Sequence, residues 1–201
     1  MKRFAPRAER LAFADPAEIA RVQSTLLAEH LRYLAERSPF YRAWWRQLGL
    51  SAPDLLPGRL AELPTTSKAD LERSNDEFLA VPPREVADSV LSSGTTGLPT
   101  RIMYTEGDLD RLSYNEFLSF EACGVTADDT TLLTCTLDRC FIAGLAYYLG
   151  MRRVGAASIR NGHGTIESHL EVIRRMRPTF LVGVPSFLRK LGRYLDALGF
   201  P

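Results

Sequence analysis

The chain has 201 residues, of which 45% are hydrophobic and 24% charged, so it has the composition of an ordinary globular protein with enough apolar side chains for a core. A balance of 25 basic and 24 acidic residues gives a net charge of +1, which excludes the strongly basic surface expected of a partner for nucleic acid or an anionic membrane. Since no apolar run has the length of a membrane span or the form of a signal peptide, we expect a cytoplasmic protein with reduced cysteines.

Residues 1–83 have the pattern of a helical N-terminal lobe. A long helix is expected to begin at Asp15, whose side chain can cap it, and Pro16, which fits the first turn. It is expected to end at Ser38 and Pro39. Three more segments follow: an aromatic helix at 40–45, a proline-punctuated stretch at 53–64 and the start of a helix at 66–71. Several aromatic side chains are expected to form the core of this lobe, with a dimer contact or a pocket wall as the alternative: Tyr33, Phe40, Tyr41, Trp44 and Trp45.

Residues 84–201 alternate between strand patterns and helix patterns. Strands are predicted at 88–92, 101–104, 130–135, 154–159 and 179–184, and helices at 106–122, 142–151, 165–176 and 186–198, the last capped by Ser186. The first two strands flank a turn rich in glycine and threonine, which predicts a hairpin. The alternation that follows predicts an α/β fold in which a mostly parallel sheet is flanked by helices.

Residues 92–100, Ser-Ser-Gly-Thr-Thr-Gly-Leu-Pro-Thr, are the segment that most clearly indicates chemistry. The glycines allow a positive φ and a close approach of the backbone to a ligand. Successive backbone N–H groups can then form a concave anion site, to which the hydroxyls add donors, as a loop that holds the β- and γ-phosphates of ATP requires. It is not a Walker A loop, because no lysine follows the second glycine, and Arg101 is the nearest candidate cation. The alternative is a tight turn built from common turn residues.

The same run resembles the phosphate-loop motif of the adenylate-forming superfamily, which joins acyl–CoA synthetases, peptide-synthetase adenylation domains and luciferases. Many members have lysine after the proline, whereas the phenylacetate–CoA ligase branch commonly has threonine, as this chain has at Thr100. Other segments are similar to that branch in the same order along the chain: Pro39-Phe40-Tyr41-Arg42, Leu63-Pro64-Thr65-Thr66-Ser67-Lys68-Ala69-Asp70-Leu71, Tyr104-Thr105 with Asp108-Leu109, and Gly183-Val184-Pro185-Ser186. The chain is therefore identified as resembling the N-terminal portion of such a ligase.

The resemblance implies an activity. Members of the family use ATP and Mg²⁺ to convert a small-molecule carboxylic acid into an acyl-adenylate, and then usually transfer the acyl group to coenzyme A; the expected acid is aromatic or arylacetic. One set of residues would bind the nucleotide: Ser92, Ser93, Gly94, Thr95, Thr96, Gly97 and Thr100. Another set would border the acyl pocket, with core packing as the alternative: Phe141, Gly144, Gly183 and Pro185.

The resemblance also implies that the catalytic machinery is incomplete in this chain, because family members typically have more than twice its length. The groups that hold adenine, the ribose hydroxyls and magnesium, and the C-terminal lysine of the adenylation step, would lie beyond the last predicted helix. No residue here is therefore assigned a catalytic role. Two alternatives stay open: one half of a split ligase, completed by a separate C-terminal half or paired as a homodimer, and a non-catalytic scaffold or regulatory module.

The cysteines and histidines are interpreted as structural. A zinc site could be assembled from Cys123, Cys135, Cys140 and His163, but the chain has no C-x-x-C pair, so free thiols and no bound metal are expected. A nucleophile–base pair of Cys140 and His163 would need the fold to bring two loops together. His30 and His169 lie on predicted helices and carry no predicted chemistry.

Overall fold

The structure is a computed structural model that describes residues 11, 14–50, 57–92 and 99–200. The chain forms two compact units, which meet in sequence between Thr105 and Glu106. The division at residue 83 stays a prediction, because it marks a change in the type of element rather than in compactness. None of the helices in the described ranges is both long and apolar enough to cross a bilayer.

The described part of the first unit contains α1 (Pro16–Arg37), α2 (Pro39–Gln47), α3 (Lys68–Ser74), β1 (Val86–Leu91) and β2 (Arg101–Thr105), with 3-10 turns at Pro57–Glu62, Asn75–Phe78 and Pro83–Glu85. The predicted start of α1 is confirmed: the Asp15 carboxylate accepts a hydrogen bond of 2.8 Å from the Ala17 N–H, and Pro16 lies in the first turn. Ser38 ends α1 and caps α2, and it is fully buried. One small polar residue therefore sets the turn between the two helices.

Aromatic side chains form the core of the helical part of this unit, as expected. Trp45 is buried, and the ring of Tyr41 lies 5.1 Å from its ring. The Phe40 ring stacks on Phe78 with centroids 3.9 Å apart. Tyr33 differs, because its side chain is 41% exposed. The expected packing therefore holds for Trp45, Tyr41 and Phe40, while Tyr33 lies at the rim.

The predicted hairpin is confirmed. β1 and β2 are antiparallel and pair Val90 with Ile102 and Leu91 with Arg101. The connection between the two strands is the segment that carries the Ser/Gly/Thr run. The strand pairing therefore brings both ends of that run together.

The described part of the second unit contains α4 (Glu106–Ala122), β3 (Thr130–Leu133), α5 (Ile142–Val154), β4 (Ala157–Arg160), α6 (Ile166–Met176), β5 (Phe180–Val182) and α7 (Pro185–Ala197). Its strands form a parallel sheet in the order β4-β3-β5. The predicted α/β fold class with a parallel sheet is therefore confirmed, and α4 has the bounds expected from its pattern.

The strand order makes this sheet doubly wound. From β3 the chain crosses through α5 to β4 on one side, and from β4 it crosses back through α6 to β5 on the other side. Because parallel crossovers are right-handed, the two connections lie on opposite faces of the sheet. The Thr131 hydroxyl, 3.4 Å from the Met151 sulfur, marks the face covered by α5. The loops after β3 and β4 therefore leave the sheet in opposite directions.

Several predicted boundaries differ by a few residues from those of the structure, for example β3, which ends at Leu133 rather than at 135, and two of the differences have a clear local reason. Val154 does not begin a strand. It is the last residue of α5, because the next residue, Gly155, takes a left-handed conformation with φ 95° and terminates that helix. Ser186 does not cap α7: the cap position is Val184, and Pro185 occupies the first turn. A β-branched residue and a serine beside a proline were in each case misleading local signals.

Candidate functional site

The base of the predicted phosphate loop is closed by paired hydrogen bonds. The Ser92 N–H donates to the Thr100 carbonyl at 2.9 Å, and the Thr100 N–H donates to the Ser92 hydroxyl at 2.9 Å. Five of the predicted nucleotide-binding residues lie outside the described residues: Ser93, Gly94, Thr95, Thr96 and Gly97. Their role and that of the two flanking residues in nucleotide binding stays a prediction.

Thr100, at the end of the loop, has a buried side chain. Its side chain is 5% exposed, and its hydroxyl has no hydrogen-bond partner among the residues that the structure describes. Buried hydroxyls usually have a partner, so an unpaired one requires an explanation. A ligand oxygen at the loop is one such explanation.

Arg101, the nearest cation to the loop, is used within the first unit. Its guanidinium forms an ion pair with Asp76, and its carbonyl accepts a hydrogen bond of 2.9 Å from the Asn75 side chain. Both contacts tie β2 to the 3-10 turn at Asn75–Phe78. Arg101 therefore anchors the hairpin.

A cleft of about 430 Å³ opens at the carboxyl ends of β3 and β4. It is lined by the loops that follow these strands: Thr136, Leu137, Asp138, Arg139, Arg160, Asn161, Gly162 and His163. In open α/β sheets, ligands bind where neighbouring strands send their connections to opposite faces, as β3 and β4 do. The volume also lies within the range of about 300–1,000 Å³ typical of small-molecule sites. The topology and the cavity thus identify the same place.

The floor of this cleft is held by the backbone. The Leu133 carbonyl at the end of β3 accepts hydrogen bonds of 3.2 Å from the N–H groups of both Asn161 and Gly162. The Asn161 side chain donates to the Ser168 hydroxyl on α6 at 3.2 Å. These contacts fix the loop after β4 against the end of β3, so the cleft is preformed.

Two of the predicted acyl-pocket residues, Gly144 and Gly183, pack closely against the chain segment after β3. Gly144 is buried, and a Cβ atom there would lie 1.6 Å from the Thr136 carbonyl oxygen. Gly183 is also confined, since a Cβ atom would lie 2.1 Å from the Thr134 side-chain hydroxyl. Phe141 is 45% exposed. Among the described residues that line the cleft, none is Phe141, Gly144, Gly183 or Pro185. The assignment of these four residues to an acyl pocket therefore stays a prediction.

A second cavity, of about 370 Å³, lies in the first unit beside α2 and α3. Its polar lining is occupied by structural contacts. The Asp70 carboxylate accepts hydrogen bonds from the Ser67 N–H and hydroxyl in a capping box and is also paired with Arg73 at 2.5 Å. Because these groups already stabilise the start of α3, we regard the cleft at the sheet as the stronger candidate for a ligand site.

Three ionisable side chains have raised pKa values: Glu116 on α4, Tyr147 on α5 and Cys135 after β3. Burial raises the pKa of Glu116. Burial also raises the pKa of Tyr147, and negative charge on Glu116 and Cys135 raises it further. The pKa of the Cys135 thiol is raised by burial and is partly lowered again by the Val184 N–H. For each of these groups burial is the first cause of the raised pKa, because a poorly solvated position disfavours the charged form.

The cysteines and histidines take different positions from one another. Cys123 and Cys140 are exposed free thiols, and Cys135 is a buried one. In the described ranges, no three His, Cys, Asp or Glu side chains group in a way that could hold a metal ion. His169 is fully buried: its Nδ1 donates to the Thr165 carbonyl at 2.8 Å, and its Nε2 has no partner among the described residues. Its burial was missed because helical periodicity does not distinguish a buried histidine from a boundary one.

Most of the cleft lining was also missed at the level of sequence. Arg139 and Arg160 belong to no motif, and they are brought together only by the pairing of β3 with β4. The one available signal was that both follow predicted strands, since loops after parallel strands meet at one edge of a sheet. His163 was considered as a zinc ligand and as a partner for Cys140, and it lines the cleft.

The sequence profile of the family described as AMP-binding enzyme matches residues 42–200. This is most of the chain, and the chain therefore belongs to that family. Its curated relatives include the phenylacetate-coenzyme A ligases of Pseudomonas putida, 30% identical over 94% of this chain and 44% of the relative, and of Escherichia coli K12, 32% identical over 90% and 43%. The resemblance to the N-terminal portion of this branch is thus confirmed, and the chain spans less than half the length of these relatives.

Solved structures agree on the fold. A crystal structure of 2-hydroxyisobutyryl-CoA ligase in complex with 2-HIB-AMP and CoA, in the thioesterification state, matches with a TM-score of 0.85 at 21% identity, over 96% of this chain and 44% of that one. An open conformation of the same ligase matches with a TM-score of 0.83 at 20% identity, over 98% and 49%. At this level of identity the match shows the architecture of the N-terminal part of an adenylate-forming ligase.

Proposed function

We propose that the chain is the N-terminal part of an ATP-dependent ligase that activates a carboxylic acid as its acyl-adenylate and then forms a thioester with coenzyme A. The observation that carries this proposal is the set of phenylacetate-coenzyme A ligases that are about 30% identical to nearly the whole chain. A carboxylate is a poor electrophile with a poor leaving group. Formation of the adenylate replaces that leaving group with AMP, which the thiol of coenzyme A can displace.

In this proposal the loop at residues 92–100 holds the β- and γ-phosphates of ATP. Its backbone N–H groups and hydroxyls donate without adding positive charge of their own. The buried hydroxyl of Thr100, which has no partner among the described residues, supports this role, because an oxyanion of the nucleotide would supply one. Arg101 is not part of the proposed contact, since it is paired with Asp76.

Magnesium belongs to the same proposal and, when bound, would supply positive charge that offsets the negative charge of the phosphates. Mg²⁺ is commonly bound through one or two carboxylates together with substrate phosphates. The chain's own contribution is then to fix the phosphates.

The proposed acid is aromatic or arylacetic, and its acyl pocket is proposed to be bordered by Phe141, Gly144, Gly183 and Pro185. The confined glycines support a pocket here, because they bring the starts of α5 and α7 against the chain segment after β3. That segment also lines the cleft at the sheet. The half-exposed ring of Phe141 would provide an apolar wall for an aryl group.

Completion by a C-terminal half, either separate or continuous with this chain, is also proposed; a homodimer is the alternative partner. Apolar side chains at and after the edge strand β5 support it: Leu181 is 40% exposed, Val184 55% and Leu198 50%. Parallel sheets are normally covered on both faces, so a neighbouring segment would bury Leu181, and the same segment could cover Val184 and Leu198 at the two ends of α7. The proposed location is the cytoplasm.

The test is acid-dependent release of pyrophosphate with ATP, Mg²⁺ and a panel of aryl and arylacetic acids. The chain is assayed alone and with the C-terminal half of a phenylacetate-coenzyme A ligase added. We expect release from the mixture that exceeds the release from either half. No release from the mixture, with ATP binding retained, would limit the role of the chain to nucleotide binding.

A paired substitution tests the loop separately. Thr95→Val together with Thr96→Val should weaken ATP binding by at least about tenfold, because each loses a hydrogen bond to a charged group worth about 1.5–3 kcal/mol. The control is Thr25→Val, which removes an exposed hydroxyl whose hydrogen bond, to the Arg21 carbonyl, lies within α1. Loss of solubility without a specific change in ATP affinity would instead favour the ordinary turn.

A further inference from the structure

The cleft at the ends of β3 and β4 has an excess of positive side chains. Arg139 lines it from the loop after β3, and Arg160 and His163 line it from the end of β4 and the loop that follows. Asp138 is the one carboxylate among the described residues of this lining, and it already contacts the hydroxyl of Thr136. The lining therefore offers more donors than acceptors, as a site for an anion requires.

Both guanidinium groups are available to a ligand. Within the described ranges neither Arg139 nor Arg160 forms an ion pair. The Arg160 guanidinium lies 5.2 Å above the ring of Tyr148. The attraction between a cation and an aromatic ring favours this position of the group and leaves N–H groups that can donate to a ligand. Arg160 is therefore positioned in advance, rather than free to move in solvent.

The backbone at Arg139 supports a functional role. Arg139 and Cys140 have φ values of 61° and 56°, in the left-handed region that residues with a Cβ atom rarely adopt. Strained conformations of this kind cluster at ligand sites, where the surrounding structure maintains them. Here the strained turn coincides with the residue that places a guanidinium at the cleft.

We propose that this cleft binds a carboxylate or phosphate group through Arg139 and Arg160. Arginine matches both groups because its planar N–H fork can donate two parallel hydrogen bonds to them. The proposed ligase function is needed only to say which molecule would carry this carboxylate or phosphate. It is either a second carboxylate of the acid substrate or a phosphate of the coenzyme.

The test is a direct titration of the protein with glutarate and with inorganic phosphate, without ATP and at constant ionic strength set with chloride. Four proteins are compared: wild type, Arg139→Asn, Arg160→Gln and Arg177→Asn. Asparagine tolerates the left-handed conformation, so Arg139→Asn removes the guanidinium without adding strain. Arg177→Asn is the matched control, because Arg177 is also left-handed, with φ 47°, and ends α6 away from the cleft lining. Thermal unfolding verifies that each variant is folded.

We expect wild type and Arg177→Asn to bind in the millimolar range, and Arg139→Asn and Arg160→Gln to bind at least about tenfold more weakly, since each loses charge-assisted hydrogen bonds. A stronger response to glutarate assigns the site to a second carboxylate, and a stronger response to phosphate assigns it to the coenzyme. No binding by wild type, or equal binding by all four folded proteins, overturns the proposal. That result would leave the proposed ligase function untouched, because no step of acid activation is measured.

Discussion

Gly144 lies so close to Thr136 that a Cβ atom on the glycine would be 1.6 Å from the Thr136 carbonyl oxygen. This contact joins the first turn of α5 to the loop after β3, and that loop forms one wall of the cleft. The glycine is required here by the approach of two backbones. The position of the cleft wall thus depends on a residue that does not line the cleft.

Gly144→Ala should therefore destabilise the fold, by about 3 kcal/mol, because backbone cannot move aside as a flexible side chain can. The control is Gly192→Ala in α7, where an added Cβ atom meets nothing within 4 Å. That change should raise the free energy of unfolding by about 0.5–1 kcal/mol through the lower entropy of the unfolded chain. Urea denaturation measures both, and equal effects of the two substitutions would contradict the close contact.

The ion pair between α4 and α5 should contribute measurably to stability. The Arg153 guanidinium donates to the Asp110 carboxylate at 3.0 Å, with side-chain exposures of 18% and 9%, and it also lies 5.1 Å above the Tyr114 ring. Arg153→Ala leaves a largely buried carboxylate without this partner and should cost about 3 kcal/mol of unfolding free energy. Arg175→Ala is the control, since its pair with Glu171 is exposed and should be worth less than about 1 kcal/mol. Similar losses in both variants would show that burial of the first pair has no effect.

Glu116 should make stability depend on pH. Because burial raises the pKa of Glu116 in the folded state above its ordinary value of 4.5, the folded protein binds more protons than the unfolded chain between these two pKa values. Its contribution to stability is therefore largest at acid pH. It is lost as the pH rises through the raised pKa, where the carboxylate must be charged in a poorly solvated position.

Glu116→Gln should remove this dependence, so the variant should be more stable than wild type at neutral pH and similar at acid pH. Urea unfolding from about pH 4 to about pH 8 measures the difference. Glu121→Gln removes the same charge from an exposed position on α4 and serves as the control. A difference from wild type that does not change with pH would contradict the assignment to Glu116.

Thr100→Val separates stability from nucleotide binding. Valine keeps the shape of the side chain and removes a buried hydroxyl that has no partner among the described residues. The unfolding free energy should be retained or rise by about 1 kcal/mol, because an unpaired hydroxyl is costly to bury. ATP affinity, measured by calorimetry, should fall by about tenfold if the hydroxyl donates to a phosphate. An unchanged affinity would make Thr100 a structural residue of the hairpin.

Local signals in the sequence were sufficient for most elements of this fold. Asp15 and Pro16 mark the start of α1 because a cap and a first-turn proline act on neighbouring backbone groups only. The Ser/Gly/Thr run between two β-leaning segments indicated the hairpin, since a turn sets the pairing of the strands that flank it. The phosphate-loop motif indicated the family for a related reason: its residues, 92–100, are contiguous, so the motif can be found without knowledge of the tertiary structure.

The sequence by itself thus determined the elements, the fold class and the family of this protein. Only the tertiary structure decided the strand order β4-β3-β5, and with it the meeting of Arg139 and Arg160 at one cleft. It also decided the burial of His169 against Phe187 and the contact of Gly144 with Thr136. The physical reason is range: caps, turns and periodicity act between residues a few positions apart. Strand order and close backbone contacts depend on which distant segments pack together, and no local pattern encodes that choice.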